Sequence, residues 1–246
     1  MKYYFLVGEA SGDIHAANLI SEIKKLDSTA EFRGFGGARM KSEGVQLTKS
    51  LSDLAFMGFV EVIANLRTIL SNISICKNDI LDFEPDKLIL VDYPGFNIRL
   101  AKWAKKKGLE VTYYISPQIW AWKEGRVHTI KMVVDRMMVI LPFEKAFYHK
   151  HQMDVHFVGH PLIDEIAQWR ANNPETSEGN KIIVLMPGSR EHEISKVLPV
   201  MLNAAKQFPK RRFVIGKAGH IPLSFYQNFK LNGVEVSSEG SYALLG

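Results

Sequence analysis

Short β-rich apolar runs alternate with helix-patterned segments along almost the whole chain. Strands are expected at Tyr3–Val7, Glu31–Gly34, Lys87–Val91, Glu110–Ile115, Arg136–Leu141 and Val155–Val158, and, after a polar break, at Lys181–Leu185 and Arg211–Ile215. Helical periodicity fills the intervals at Ile14–Leu26, Ile98–Lys107, Arg126–Val134, Glu144–Lys150, Ile194–Gln207 and Leu223–Lys230. Strands separated by helices cannot close as hairpins. They line up as a parallel sheet with helices on both faces, an α/β fold.

The polar break, Ala171–Asn180, contains Pro174 and Gly179 and has no apolar period, so it reads as a linker. It predicts a first domain over residues 1–171 and a second over 181–246. The second has only two or three strand patterns before Gly246, fewer than a doubly wound domain uses, and is expected to be incomplete in this chain. Hydrophobic residues make up 46% of the 246 residues and charged residues 23%, the mix of an ordinary globular protein. The single cysteine, Cys76, excludes an internal disulfide and a cysteine-based zinc cluster, and fits a reducing, cytosolic setting. Met1–Val7 is too short for a signal core, and no apolar run reaches the length of about 18 residues that would span a bilayer. The formal charge of +5 favours phosphates or anionic lipid as partners. Nucleic acid is not expected, because the basic residues are scattered and no aromatic-interleaved motif accompanies them.

In such a sheet the loops at the carboxyl ends of strands bind ligands. Gly8-Glu9-Ala10-Ser11-Gly12-Asp13 is the first of these loops. Its glycines allow close backbone approach and its amides attract anions, although Ser11 or Asp13 can equally cap the following helix, and His15 is a phosphate contact or a bystander. Gly34-Phe35-Gly36-Gly37 is an anion-binding nest or an ordinary turn. Asp92-Tyr93-Pro94-Gly95-Phe96-Asn97 follows Leu88-Ile89-Leu90-Val91. A carboxylate with such apolar neighbours is partly desolvated, its pKa rises and it suits a general base; capping the next helix is the competing role. Tyr113 to Trp122 gathers two tyrosines and two tryptophans, which pack on sugar rings and acyl chains or serve as core. His160 in Phe157-Val158-Gly159-His160-Pro161-Leu162 orients a phosphate or is a turn residue. Gly188, Ser189 and Arg190 combine amides, a hydroxyl and a guanidinium at a helix start, a constellation suited to a pyrophosphate or simply a plain helix start. No metal site is expected, since His149 and His151 lack partners at ligand spacing.

Phe59–Cys76 carries apolar residues at 59, 62, 63, 66, 70 and 73, widened by Val60 and Ile69 and extended by Phe56 and Met57. A helix with so broad an apolar face packs in the core or lies on a membrane or acyl chains.

Taken in order, seven segments resemble the lipid-A-disaccharide synthase family. They are Gly8-Glu9-Ala10-Ser11-Gly12-Asp13, Met57-Gly58-Phe59-Val60-Glu61-Val62, Asp92-Tyr93-Pro94-Gly95-Phe96-Asn97, Ser116-Pro117-Gln118-Ile119-Trp120-Ala121-Trp122, Leu141-Pro142-Phe143-Glu144, Phe157-Val158-Gly159-His160-Pro161-Leu162 and Pro187-Gly188-Ser189-Arg190. The resemblance implies a GT-B architecture of two Rossmann-like parallel-sheet halves. It also implies an inverting glycosyl transfer that joins UDP-2,3-diacylglucosamine to 2,3-diacylglucosamine 1-phosphate and releases UDP, with no metal or organic cofactor. Asp92 is then the expected base, with Glu9 and Asp13 as catalytic neighbours. Ser11, Gly12, Asn97, Trp120, His160, Gly188, Ser189 and Arg190 are expected to bind substrate. Met57, Phe59, Val60, Val62, Ile63, Leu66, Ile69 and Leu70 are expected to take acyl chains or touch the bilayer. The implied location is cytoplasmic, peripheral to the inner membrane of bacteria that make lipopolysaccharide, and a homodimer is compatible with it. Relatives continue past Ser241–Gly246 with a nucleotide-holding loop, so this chain alone is expected to lack full donor binding and to be inactive. Two other readings fit the same loops: a UDP-sugar enzyme of the 2-epimerase or peptidoglycan N-acetylglucosaminyltransferase type, and a non-catalytic module that binds lipid or nucleotide sugar.

Overall fold

The computed structural model describes residues 1–51, 66–173, 182–219 and 221–245, the side chain of residue 66 excepted. They fall into two compact units, Met1–Pro161 and Leu162–Gly246. The first holds seven strands: β1 (Lys2–Val7), β2 (Glu31–Gly36), β3 (Gln46–Ser50), β4 (Lys87–Val91), β5 (Val111–Tyr114), β6 (Arg136–Val139) and β7 (His156–Phe157). Every pairing is parallel, and the order is β3-β2-β1-β4-β5-β6-β7. The chain moves outward from β1 to β3 and then crosses back to β4, on the other side of β1. The strand order therefore reverses between β1 and β4, where the crevice of an open parallel sheet takes its ligands.

Helices α1 (Ala10–Leu26), α2 (Ala38–Ser42), α3 (Leu66–Phe83), α4 (Pro94–Lys106), α5 (Ile119–Trp122), α6 (Arg126–Val133) and α7 (Pro142–Lys150) belong to this unit. Alternate strand residues feed two separate cores. Tyr4, Leu6, Leu88 and Leu90 join Ile73, Cys76, Ile80 and Phe83 of α3 and Leu100 of α4. Phe5, Val7, Ile89 and Val91 join Ala16, Ala17 and Ile20 of α1 and Met40 of α2. A strand buried on both faces reads as an unbroken apolar run, which is why β1 and β4 stand out in the sequence. Edge strand β3, Gln-Leu-Thr-Lys-Ser, has no fully buried residue and gives no such signal.

The second unit begins with α8 (Leu162–Asn172) and continues through β8 (Ile182–Leu185), α9 (Glu191–Ala205), β9 (Arg212–Gly216), α10 (Leu223–Gln227), β10 (Glu235–Ser237) and α11 (Ser241–Leu245). Its parallel order, β10-β9-β8, repeats the β3-β2-β1 arrangement. Ile194, Leu198 and Leu202, one stripe of α9, pack with Leu185, Ile215 and Tyr226. Helix α8 precedes the polar break, yet it belongs to this unit, with Trp169 centred 6.4 Å from Tyr242 of α11.

The expected membrane helix is partly within view. Met57, Phe59, Val60, Val62, Ile63 and the Leu66 side chain lie outside the described residues. Helix α3 runs to Phe83, beyond the expected end at Cys76, because Ile80 and Phe83 continue the core stripe. Ile69 packs against the core, whereas Leu70 is 53% exposed. No helix among the described residues is long and apolar enough to cross a membrane.

Candidate active site

Strands β1 and β4 are in register, Val7 opposite Val91, so Gly8-Glu9 and Asp92-Tyr93 emerge side by side at the strand-order reversal. Asp92 and Tyr93 both adopt left-handed backbone, with φ of 43° and 44°. Such conformations cost about 1–3 kcal/mol each and persist only where the surroundings enforce them. The enforcing contacts are specific. Asn97, fully buried, donates from Nδ2 to the carbonyls of Val91 (3.2 Å) and Asp92 (2.8 Å). The Tyr113 hydroxyl donates to the Asp92 carbonyl at 2.5 Å, and the Asp92 amide donates to the Tyr114 carbonyl at 3.2 Å. The Tyr93 ring lies over Gly8, where any Cβ would come within 2.3 Å of Tyr93 Cγ.

This turn leaves the Asp92 side chain half-buried and without a capping task, since α4 has no side-chain cap. Desolvation by burial, reinforced by the negative charge of Glu9, raises the Asp92 pKa from 3.8 to about 6, against a smaller opposing hydrogen bond from the Tyr93 amide. A carboxyl group poised there is basic enough to accept a proton near neutrality and still largely ionised. Glu9 also raises the Tyr93 hydroxyl, though burial does more.

The other residues expected in this loop take different places. The Asp13 carboxylate is buried and accepts from the amides of Gly37 (2.8 Å), Arg39 (3.0 Å) and Met40 (3.1 Å). The glycine-rich turn before α2 is thus an anion nest whose anion is internal. Asp13 caps α2 from a helix 24 residues earlier in the chain, a structural task that engages both of its oxygens. Gly12 is buried where a Cβ would press to 3.0 Å from Val7 Cγ1, so its smallness sets the approach of α1 to the sheet. Asn97 acts from beneath the surface on the Asp92 turn and has no surface to offer a ligand. Ser11 is exposed. His15 and His160 meet edge to face, with ring centroids 6.4 Å apart, which joins the loop after β7 to the start of α1.

The next strand end is strained as well. Ile115, at the end of β5, has φ of 66°, an outlier for a β-branched residue. Behind it, the Ser116 and Tyr148 hydroxyls are hydrogen-bonded at 2.5 Å in a buried pocket. Trp120 lies edge to face on Phe143 at 4.8 Å with its indole nitrogen buried, while Trp122 is 67% exposed. Tyr93 is not among the expected site residues, and Tyr113 enters the expectations only through the aromatic cluster; their place at the ends of two runs that the sheet makes adjacent is the available signal.

In the second unit, Gly188 has φ of 122°, a backbone that favours glycine. The Ser189 amide donates to Glu193 Oε2 at 3.2 Å, and Arg190 Nη1 pairs with Glu193 Oε1 at 3.3 Å. The turn therefore holds a carboxylate with one amide and one guanidinium, the donor types that bind phosphate oxygens. No group of three or more potential metal ligands occurs among the described residues.

Against known proteins, this chain resembles sugar-nucleotide enzymes in fold and lipid A enzymes in sequence. UDP-GlcNAc 2-epimerase from Neisseria meningitidis, solved with UDP-GlcNAc, aligns over 98% of this chain and 73% of its own, with a TM-score of 0.65 and 16% identity. The enzyme from Methanocaldococcus jannaschii, solved with UDP-GlcNAc and UDP, aligns over 100% and 75%, with a TM-score of 0.65 and 11% identity. At those identities the likeness shows the fold alone, the GT-B class of Rossmann-like units expected from sequence. Lipid-A-disaccharide synthase of Syntrophus aciditrophicus is 45% identical over 207 residues, 82% of this chain and 54% of that protein. Lipid-A-disaccharide synthase 1 of Legionella pneumophila strain Lens is 45% identical over 226 residues, 88% and 59%. The chain thus spans just over half the length of the curated relatives it matches. The model of the lipid-A-disaccharide synthetase family matches residues 3–221, and on that match the chain belongs to the lipid-A-disaccharide synthetase family.

Proposed function

We propose that the chain serves a glycosyl transfer in which UDP-2,3-diacylglucosamine is the donor and 2,3-diacylglucosamine 1-phosphate the acceptor, giving the β-1,6-linked disaccharide and UDP. Inversion at the anomeric carbon needs a base for the acceptor hydroxyl and positive charge for the departing diphosphate. Asp92 is the proposed base. The observation that carries the reading is its carboxyl group, raised to about 6 by burial and Glu9 on an enforced turn, in a chain of this family. Glu9 tunes that base by its charge.

Gly188, Ser189 and Arg190 are proposed to receive the donor diphosphate, which would replace the Glu193 carboxylate on the same amide and guanidinium. His160 and Ser11 are proposed to line the acceptor side, and Trp120 to support it from behind. The exposed Leu70, with the apolar residues before it in sequence, is proposed to meet acyl chains at the cytoplasmic face of the inner membrane, to which the net charge of +5 adds attraction for anionic lipid.

Mixing a full-length version of the protein with the acylated donor and acceptor and reading UDP release tests the proposal. Release that requires the acylated acceptor, and that Asp92→Asn abolishes, is the expected result. Conversion of UDP-GlcNAc to its 2-epimer without any acceptor would overturn it.

A further inference from the structure

Near the start of α4 lies a shallow surface hollow of about 20 Å³, lined by Pro94, Pro117, Ile119, Trp122, Lys123 and Arg126. Pro94 stands two residues after Asp92, and Pro117 two residues after the strained Ile115, so the hollow opens between the ends of neighbouring strands β4 and β5. Its wall is cationic. Lys123 Nζ lies 4.7 Å from the centroid of the exposed Trp122 ring, and Arg126 Cζ lies 5.9 Å from it. The indole tethers both cations without neutralising either. Arg126 is half-buried, and neither cation forms a salt bridge to a carboxylate among the described residues. A partly desolvated guanidinium without a counter-ion is costly, and a bound anion offsets that cost. Asp92 and Arg126 both lie close enough to the Tyr113 hydroxyl to act on it electrostatically.

We propose that Lys123 and Arg126, tethered by Trp122, form the subsite for the phosphate of a sugar 1-phosphate acceptor whose hydroxyl Asp92 deprotonates. The inference rests on the reading of Asp92 as the acceptor's base. The acceptor, rather than the donor, is the phosphate in question because Pro94, on the hollow's lining, follows Asp92 by two residues. Arg126 suits it, since its planar fork reads a phosphate through paired hydrogen bonds.

Binding of 2,3-diacylglucosamine 1-phosphate and of its dephosphorylated form to the 246-residue chain tests this. Wild-type protein should prefer the phosphorylated ligand by about tenfold or more. Lys123→Gln and Arg126→Gln should each shrink that preference and leave affinity for the dephosphorylated form unchanged, with Arg126→Lys retaining part of it. Lys123 is exposed, so loss through its variant cannot be put down to misfolding. Preference retained in both variants overturns the subsite while acceptor binding itself stands. Failure of wild-type protein to bind either ligand removes the subsite and the acceptor reading together. Vesicles of phosphatidylcholine with phosphatidylglycerol form a separate arm: a variant-dependent loss confined to vesicle binding assigns the two cations to lipid headgroups and overturns the proposal.

Discussion

The Tyr93 ring packs directly on the Cα of Gly8, with Cγ only 2.3 Å from where a Cβ would stand. This contact joins the two loops at the strand-order reversal and helps hold Asp92 and Tyr93 in their left-handed turn. Gly8→Ala must push the ring or the turn aside, because the clashing atom is the root of the ring. The variant should lose about 1–3 kcal/mol in chemical denaturation and should also lose the raised pKa of Asp92. Wild-type stability and an unshifted Asp92 titration would contradict the contact's role.

Asp92 makes stability depend on pH with a definite sign. Its folded pKa, about 6, lies above the unfolded value of 3.8, so the folded state binds more protons between those limits. Stability from this group is therefore full below the unfolded pKa and is lost as pH rises through about 6. Asp92→Asn removes the burden and should be more stable than wild type by about 3 kcal/mol at pH 8, with little difference near pH 3.5. Denaturation midpoints of the two proteins across pH check this. A variant no more stable at pH 8 than wild type would mean that the carboxylate is well solvated.

Asp13 tests the difference between a structural and a chemical acid. Asp13→Ala leaves three amides of the α2 start without their acceptor and should destabilise the protein by about 2–4 kcal/mol. Asp13→Asn keeps one acceptor oxygen and should recover part of the loss. A stable Asp13→Ala protein that had lost only turnover would return Asp13 to the chemistry.

In the second unit, Arg190→Gln should lower UDP affinity about tenfold, measured by calorimetry, while Asp92→Asn leaves it unchanged. UDP affinity indifferent to Arg190 would remove the guanidinium from the donor site.

The partial burial of Asp92 is legible in the sequence because an acid directly after Leu88–Val91 has only apolar neighbours along the strand, and parallel strands bury both faces. The alternation of runs gave the sheet for the same reason. Asp13 and Asn97 were not legible, since an acid near a helix start and an amide in a loop read alike whether they face a ligand or the backbone. Only the tertiary fold brings Gly37–Met40 to Asp13 and the end of β4 to Asn97. Strand β3 and helix α8 escaped because neither contains a fully buried residue to mark a core-facing stripe. Lys123 and Arg126 were hidden by the aromatic cluster around them, although their positions one and four residues after Trp122 put both cations within reach of its ring.

The central claim, that Asp92 is a base raised by its surroundings and turned toward an acceptor, meets its most direct test in a ¹³C NMR titration of the Asp92 carboxyl group with and without 2,3-diacylglucosamine 1-phosphate. The account predicts a midpoint of about 6 that falls in Glu9→Gln and moves when the acceptor binds. A midpoint near 3.8 that ignores both the Glu9 charge and the acceptor would contradict it.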